Sequence, residues 1–377
     1  MQTHDPMLGS GALRWQTACG LAFALATCVP AQTYIVDAMN GPGAQFTSIA
    51  AAIAAVPSGA VLLVRPGSYL PFSINGKGLS ILGTSGVVIT NIITFPVTIS
   101  ISGTNANQPV VLRHLHLQVP SGGAHRLICT NCAGPLIVQA VTFDTTWGPN
   151  GRLTAQQCSQ LYVEASGPFA SGITSVGLEI TGGSAVVRNC LTSDPCNVLL
   201  ANASTVQIVD CAFTGLPPVQ LAGGLVRAMG TTSLVGFAPG VPAVAGTGTF
   251  VCEPTVLAAP IVSTVNTVVA QQGFCTASGG ALGTPANASL SGPTGHLGAL
   301  FLGRVATPQI VPGFQFDQWL ANGSIASVGV GVFGAPLAAS VQVPANPLLL
   351  GTLFGWQGVT FDPARGFAFS TPALFTP

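Results

Sequence analysis

The sequence predicts an all-β chain whose main part is a parallel β-helix, a solenoid of stacked coils. One short phrase recurs five times: an apolar strand segment, then a small or polar residue, then a residue that can be buried. Its anchor positions are 112, 138, 163, 187 and 208, which gives steps of 26, 25, 24 and 21 residues. A period in the twenties with short strands and Gly, Asn or Asp between them is typical of a solenoid. The copies are Leu112-Arg113-His114-Leu115, Val138-Gln139-Ala140-Val141, Val163-Glu164-Ala165-Ser166, Val187-Arg188-Asn189-Cys190 and Ile208-Val209-Asp210-Cys211.

Each position of the phrase predicts a direction for its side chain. The anchor is expected to point inward and the next residue outward, after which the chain bends sharply. Asn, Asp and His tolerate a positive φ better than other non-glycine residues, which suits a left-handed bend. The predicted bend residues are His114, Ala140, Ala165, Asn189 and Asp210. The residue after the bend turns inward, which predicts an interior stack of Leu115, Val141, Cys190 and Cys211.

The segment before the regular coils predicts a strand at residues 34–37 and a short helix at residues 49–56. Thr47 and Ser48 can cap the helix, and Ile49, Ile53 and Val56 recur at helical spacing. A solenoid needs its open hydrophobic end covered, so we expect this helix to cap it.

Two stretches in this region resemble a known superfamily. They are Gly41-Pro42-Gly43-Ala44-Gln45-Phe46-Thr47-Ser48-Ile49 and Val64-Arg65-Pro66-Gly67-Ser68-Tyr69. They resemble the opening of right-handed parallel β-helix proteins of the pectin lyase-like superfamily. The resemblance covers residues 34–82 by motif and extends to about residue 230 by repeat pattern. It implies right-handed winding, but that superfamily includes lyases, hydrolases, esterases and adhesins, so it implies no single activity.

The last third of the chain has a different sequence pattern. The coil period is lost beyond about Leu234, and from Cys252 long apolar strands alternate with proline turns. This part resembles an all-β tail found on many exported bacterial proteins, which implies a small β-sandwich-like domain. The predicted organisation is a signal peptide at 1–31, the β-helix at 32–233, a linker at 234–251 and a C-terminal domain at 252–377.

The N-terminus has the character of an export signal. Arg14 precedes an apolar stretch at residues 18–29, and small residues precede Gln32. We expect cleavage before Gln32 and a chain that is secreted or held at the cell surface. An uncleaved anchor and a lipoprotein modified at Cys28 are the alternatives. No internal apolar run reaches the roughly 18 residues of a spanning helix, so no transmembrane segment is expected after signal removal.

Charge is scarce in this sequence. The chain has 10 Lys+Arg and 10 Asp+Glu, and charged residues make up 5% of it, against about 25% in an average domain. No basic stripe is present to neutralise phosphates, which argues against nucleic acid as a partner. The surface must consist largely of Ser, Thr, Asn, Gln and Gly, so we expect a polysaccharide or a cell-surface glycan as partner, with no cofactor and a monomeric chain.

The outward residues that follow the anchors are the candidate ligand-binding row. Adjacent coils lie about 4.8 Å apart, so these side chains should face one another. The resemblance implies a substrate groove along one sheet, with carboxylates and arginines on successive coils. The alternative is a solvated ion pair worth no more than about 1 kcal/mol. The row consists of Arg113, Gln139, Glu164 and Arg188.

The acidic residues favour a non-catalytic protein. After signal removal, no two acidic residues are adjacent or two apart in sequence, whereas a glycoside hydrolase needs two facing carboxylates. Glu164 and Asp144, with Arg188, are the weak catalytic candidates, so a polysaccharide lyase or hydrolase stays as the alternative. Gln139-Ala140-Val141 resembles a short motif of pectin methylesterases, but the aspartate and arginine-tryptophan elements of that family are absent.

Histidines and cysteines predict structural roles. His114 and His116, with His125 nearby, could suggest a metal, but the bend at His114 separates the first two, so no metal site is predicted. Eight cysteines remain after signal removal, an even number in an oxidising compartment. Cys190 and Cys211 are expected one coil apart, as a disulfide or as packed thiols. The other candidate pairs are Cys132 with Cys158 and Cys252 with Cys275.

Overall fold

The structure is a computed structural model that describes residues 31–91, 96–118, 124–144, 151–169, 176–193, 197–259 and 265–377. Within these ranges the chain forms a parallel β-solenoid of about eight turns, followed by antiparallel β-sheets. The predicted parallel β-helix is therefore confirmed. The predicted signal peptide lies outside the described residues except for Ala31.

The solenoid has three parallel sheets, each built from equivalent strands of successive coils. β18, β20 and β22 are long strands that run from the second sheet into the first. The first sheet consists of β1 (Thr33–Val36), β2 (Ala60–Val64), β5 (Leu79–Gly83), β8 (Val110–Arg113), β11 (Pro135–Gln139), β14 (Gln160–Glu164), β16 (Ser184–Arg188), the later parts of β18 (Asn197–Val209), β20 (Val219–Met229) and β22 (Val244–Cys252), and β24 (Val265–Val269).

The second sheet leads into the first through these long strands, and the third sheet lies between the other two along each coil. The second sheet consists of β4 (Ser73–Asn75), β7 (Val97–Ser102), β10 (His125–Thr130), β13 (Gly151–Gln156), β15 (Val176–Thr181) and the earlier parts of β18, β20 and β22. The third sheet is in two parts: β3 (Gly67–Tyr69), β6 (Val87–Thr90), β9 (His116–Gln118) and β12 (Thr142–Phe143), then β17 (Leu191–Ser193), β19 (Ala212–Gly215), β21 (Ser233–Gly236) and β23 (Leu257–Ala259).

All five predicted bends have a left-handed backbone. The φ angles are 52° at His114, 50° at Ala140, 47° at Ala165, 49° at Asn189 and 52° at Asp210. The bend amides stay within the parallel hydrogen-bond pattern, since each donates to a carbonyl of the next coil at 3.0–3.4 Å. This pairing explains why even alanine is held in a conformation that usually costs about 1–2 kcal/mol.

The interior of the solenoid is one continuous hydrophobic core. Leu115, Val141, Cys190 and Cys211 are all buried in it, which confirms the predicted stack. Because every coil contributes aliphatic side chains to the same core, each coil is stabilised mainly by its two neighbours.

The predicted helix is present as α1 (Ile49–Ala55). The Ser48 side chain accepts a hydrogen bond from the Ala51 amide at its start. At its end, Lys77 Nζ donates to the carbonyls of Ile53 and Val56 at 2.7 and 2.8 Å, which places a cation where the helix dipole is negative. Ile49, Ala52 and Ile53 are buried against the first coils.

Parallel pairing continues further along the chain than the sequence suggested. The segment 234–251, expected to be a linker, contains most of β22, which pairs with β20 on one side and β24 on the other. The phrase is no longer recognisable here, yet the strands keep stacking, with Ile208 in register with Ala228 and Ala228 with Cys252. The solenoid ends at β24, and antiparallel pairing begins at Phe274.

The C-terminal region, residues 274–377, is antiparallel except for the short parallel pair β28 and β33 and an isolated parallel bridge between Phe274 and Thr371. Its buried core includes Leu290, Leu300 and Trp356. One of its sheets consists of β25 (Phe274–Gly279), β26 (Pro285–Ser291) and β31 (Leu337–Gln342). The other consists of β27 (Leu297–Ile310), β28 (Phe314–Gln315), β29 (Asp317–Leu320), β30 (Ala326–Val332), β32 (Phe354–Asp362), β33 (Gly366–Phe369) and β34 (Ala373–Phe375).

The bend geometry predicts how Asn189 responds to substitution. Its side chain is exposed, so a change there acts mainly through the backbone. We expect Asn189→Val to lower the free energy of unfolding by about 1–2 kcal/mol, because a β-branched residue is strained at positive φ. Asn189→Gly, the matched control, should change it by no more than about 1 kcal/mol. Equilibrium unfolding in urea measures both, and equal losses from the two variants would contradict the prediction.

Candidate functional site

The predicted row lies on the outer side of the first sheet, with the predicted register. Gln139 pairs with Arg113 on one side and with Glu164 on the other, and Glu164 pairs with Arg188. The four residues therefore follow one another on adjacent coils, about 4.8 Å apart. The sequence placed them correctly along the solenoid.

The row is not an open surface, because the end of the C-terminal region lies across it. Arg188 is only 2% exposed, and its Nη1 donates to the Pro372 carbonyl at 2.9 Å. Arg113 Nη1 donates to both the carbonyl and the hydroxyl of Thr376 at 3.1 Å. Two of the four predicted ligand-binding side chains are thus engaged within the chain.

The structure also gives no support to the predicted surface ion pair. Among the described residues, ion pairs join Arg65 to Asp37 and Arg152 to Glu179, and none joins Glu164 to an arginine. Glu164 Oε2 instead accepts a hydrogen bond from Gln139 Nε2 at 2.9 Å.

A neighbouring outward column explains why this face is covered. The residue just before each anchor also points outward, and in most coils it is apolar. These side chains are at most 1% exposed and pack against Trp319, Leu353 and Leu374 of the C-terminal region. We call them the apolar column: Val61, Val111, Ile137, Tyr162 and Val186.

A cleft remains between the row and the C-terminal region. Its volume is about 250 Å³, and its walls include Arg113, Gln139 and Glu164 on one side and Ser278 and Thr376 on the other. Burial lowers the pKa of Arg113, and the Glu164 carboxylate opposes that shift. Burial also raises the pKa of Tyr162, with the charge of Glu164 acting in the same direction. The cleft therefore holds one carboxylate and, two coils away, one cation. These groups can bind a polar ligand, but the cleft lacks a second carboxylate for paired acid and base chemistry.

The other predicted catalytic acid lies elsewhere. Asp144 follows β12 in the third sheet, where its charge opposes the lowering of the His125 pKa that burial causes. Glu164 ends β14 in the first sheet, so the two acids belong to different sides of the solenoid. The structure does not bring together the carboxylate pair that the sequence suggested.

The predicted histidine separation is present. His114 occupies the exposed bend, while His116 in β9 lies 2.9 Å from the Thr142 hydroxyl through Nδ1. His125 is buried at the start of β10. Across the residues that the structure describes, no group of three or more His, Cys, Asp or Glu side chains could hold a metal ion.

The seven described cysteines of the solenoid and C-terminal region are buried free thiols. None of the suggested disulfides, Cys190–Cys211, Cys132–Cys158 or Cys252–Cys275, is formed in the structure. Cys190 and Cys211 adopt the packed-thiol alternative: the Cys190 amide donates to Cys211 Sγ at 3.5 Å, and burial raises the pKa of Cys190.

The outer side of the second sheet is an open polar surface of the solenoid. Its outward residues at the strand ends carry hydroxyl or amide groups on six successive coils. All of them are half-buried or exposed. We call this set the amide–hydroxyl column: Asn75, Ser102, Thr130, Gln156, Thr181 and Asn202.

Hydrogen bonds along the second sheet hold some of these groups in place. Ser102 Oγ donates to Asn75 Oδ1 at 2.7 Å, and in the adjacent column Ser100 Oγ donates to Ser73 Oγ at 2.6 Å. The Arg152–Glu179 ion pair lies on the same face. Glu179 is the only acidic residue in the described strands of the second sheet, and Arg152 neutralises its charge.

The sequence analysis missed this column, although a signal for it exists. Each of its members comes directly before a second set of bends with positive φ. These bends are Gly76, Gly103, Asn131, Gln157, Gly182 and Ala203. A polar residue followed by a left-handed bend, repeated once per coil, would have located the column.

Comparison with known proteins gives no relative: no protein-family model matches the chain, and no curated protein sequence matches it significantly. The part of the chain that the structure describes contains no helix long and apolar enough to cross a membrane.

The contact between Tyr162 and the C-terminal region allows a direct test. The Leu374 amide donates to the buried Tyr162 hydroxyl at 3.2 Å. Tyr162→Phe should lower the free energy of unfolding by about 1–3 kcal/mol, because it leaves a buried N–H without its acceptor. Tyr34→Phe is the matched control, since that hydroxyl bonds Gln32 near the surface. Urea unfolding monitored by far-UV circular dichroism compares the two, and a loss in Tyr162→Phe no larger than in the control would contradict this account.

Proposed function

We propose that this protein is an exported, non-catalytic β-helix that binds carbohydrate, as a polysaccharide or a cell-surface glycan. The observation that carries the proposal is the amide–hydroxyl column on the open side of the second sheet. We further propose that the β-helix winds right-handed, as in the pectin lyase-like superfamily, and that α1 covers the N-terminal end of the β-helix.

The chemistry of this column suits an uncharged sugar chain. Hydroxyl and amide groups can both donate and accept hydrogen bonds, as sugar hydroxyls do. Six coils at about 4.8 Å place such a group repeatedly over about 24 Å, so a chain lying along the solenoid axis meets a partner at every coil. The bonds at Asn75 and Ser73 orient part of the surface before binding, which lowers the entropy lost on association.

The predicted binding row on the first sheet has a different role in this proposal. Arg113 and Arg188 hold the end of the C-terminal region, and the apolar column beside them is covered by it. The C-terminal region then serves stability, and attachment at the cell surface if it contacts a further partner. Export rests on the apolar stretch at residues 18–29, and the mature chain would begin at Gln32.

The binding face can be tested with a triple variant. Thr130→Val, Gln156→Leu and Thr181→Val remove polar groups while keeping residues that suit a strand. Each lost hydrogen bond should cost about 0.5–1.5 kcal/mol, so affinity should fall about tenfold or more. The measurement is binding of the purified protein to a panel of neutral and acidic polysaccharides by affinity electrophoresis and calorimetry.

A matched control lies on the third sheet, where Thr90→Val, Gln118→Leu and Thr214→Val make the same changes at half-buried or exposed positions. This control should bind as the unmodified protein does. Equal binding by both triple variants would refute the second sheet as the binding face, and the absence of binding to every glycan tested would refute the proposed function.

A second candidate function is a polysaccharide lyase or hydrolase, favoured by the cleft whose walls include Glu164 and, two coils away, Arg113. In this case Glu164→Gln should abolish release of oligosaccharides from a susceptible polysaccharide. Glu179→Gln, on the outer side of the second sheet, is the control and should leave release unchanged. Binding without product release by the unmodified protein would exclude this candidate in favour of the first.

A further inference from the structure

A buried arginine lies on the first sheet two coils beyond Val186, in line with the apolar column. Arg227 in β20 pairs in register with Gln207 on one side and Val251 on the other. It is 1% exposed, although its position faces outward from the solenoid. Residues of the C-terminal region cover it, as they cover the apolar column.

The hydrogen-bond partners of Arg227 are uncharged. Its Nε donates to Gln272 Oε1 at 2.5 Å, and its Nη1 donates to Gln207 Oε1 at 3.4 Å. Among the described residues, no carboxylate lies within ion-pair distance of it. Glu253 and Asp317 act on it only at longer range. The Glu253 carboxylate accepts from the Gly230 and Gln272 amides, and Asp317 Oδ2 accepts from the Ser184 hydroxyl.

The ring of Phe316 packs against the guanidinium of Arg227. The Arg227 Cζ lies 3.3 Å from the centre of the Phe316 ring, a close cation–π contact. Phe316 has a φ of 69°, the only Phe, Tyr or Trp residue with positive φ in the described ranges. A bulky residue in that conformation is strained, and such strain is common where a side chain is positioned for a ligand.

A pocket of about 190 Å³ opens next to this pair. Val251 and Val268 form part of its wall on the solenoid side. His296 and Arg365 line it from the C-terminal region, together with Asp362, whose carboxylate accepts from the Ala364 amide. The pocket thus joins a buried cation, a second and exposed arginine, and a small apolar wall.

Two arginines, Arg227 and Arg365, and one carboxylate, Asp362, line this space, so these three side chains together carry one positive charge, which favours an anion. A buried guanidinium without a close counter-ion is costly, and burial lowers the pKa of Arg227 to about 9, so it remains mainly charged at pH 7. An anion in contact with it would supply the missing charge. A carboxylate fits the planar guanidinium, and the two valines suit a short carbon chain.

We propose that this pocket binds a small organic carboxylate, with its oxygens on Arg227 and its carbon chain against Val251 and Val268. The site is separate from both the amide–hydroxyl column and the Glu164 cleft, so it does not depend on the proposed carbohydrate binding.

Titration calorimetry on the full chain tests this with sodium butyrate at pH 7, at an ionic strength held constant with sodium chloride. We expect saturable binding of butyrate and none of butyramide, which has the same shape without the charge. Arg227→Met should weaken butyrate binding at least tenfold, and Arg365→Gln should weaken it two- to fivefold. Arg304→Met, at an arginine that lines a different cavity, should leave it unchanged.

Thermal unfolding provides a second measurement that also checks folding of the variants. Butyrate should raise the melting temperature of the unmodified protein and of Arg304→Met, but not that of Arg227→Met. The proposal is overturned if butyrate gives no saturable signal, if Arg227→Met binds it equally well, or if butyramide binds as tightly. It is also overturned if inorganic phosphate binds more tightly than butyrate, because the site would then select an inorganic oxyanion.

Discussion

The structure depends on the contact between the apolar column of the first sheet and the C-terminal region. Val111, Ile137, Tyr162 and Val186 point away from the solenoid core, yet each is almost completely buried. At about 25 cal/mol per Å² of apolar surface, leaving such a column in water would be costly. Trp319, Leu353 and Leu374 cover it and form a second core with it. Solenoid and C-terminal region are therefore one packed unit along this face.

This contact also determines which polar groups of the solenoid bind the C-terminal region and which stay accessible. Polar groups next to the apolar column become tethers for the C-terminal region, as Arg188 does through Pro372 and Arg113 through Thr376. Two cavities remain at the edges of the contact, the Glu164 cleft and the Arg227 pocket. The second sheet, away from the contact, keeps its hydroxyl and amide groups free of the C-terminal region. Covering one face thus leaves the other surfaces for the binding that we propose.

The repeat predicted the solenoid well because its information is local. An inward anchor, an outward residue and a bend follow one another within four residues, and the left-handed backbone was found even at Ala140 and Ala165. The register of Arg113, Gln139, Glu164 and Arg188 followed from the same alignment. The end of the solenoid was placed too early, because β22 and β24 continue to stack after the phrase has disappeared.

The sequence by itself determined the coil, its bends and the interior stack, since hydrophobic alternation and backbone preference act between near neighbours. Only the tertiary structure decided which outer face is open. Arg188 follows its anchor just as an exposed residue would, and its burial depends on a carbonyl 184 residues away in sequence. The same long-range packing brings Phe316 onto Arg227. No local pattern encodes these contacts, because they depend on how two separately patterned regions meet.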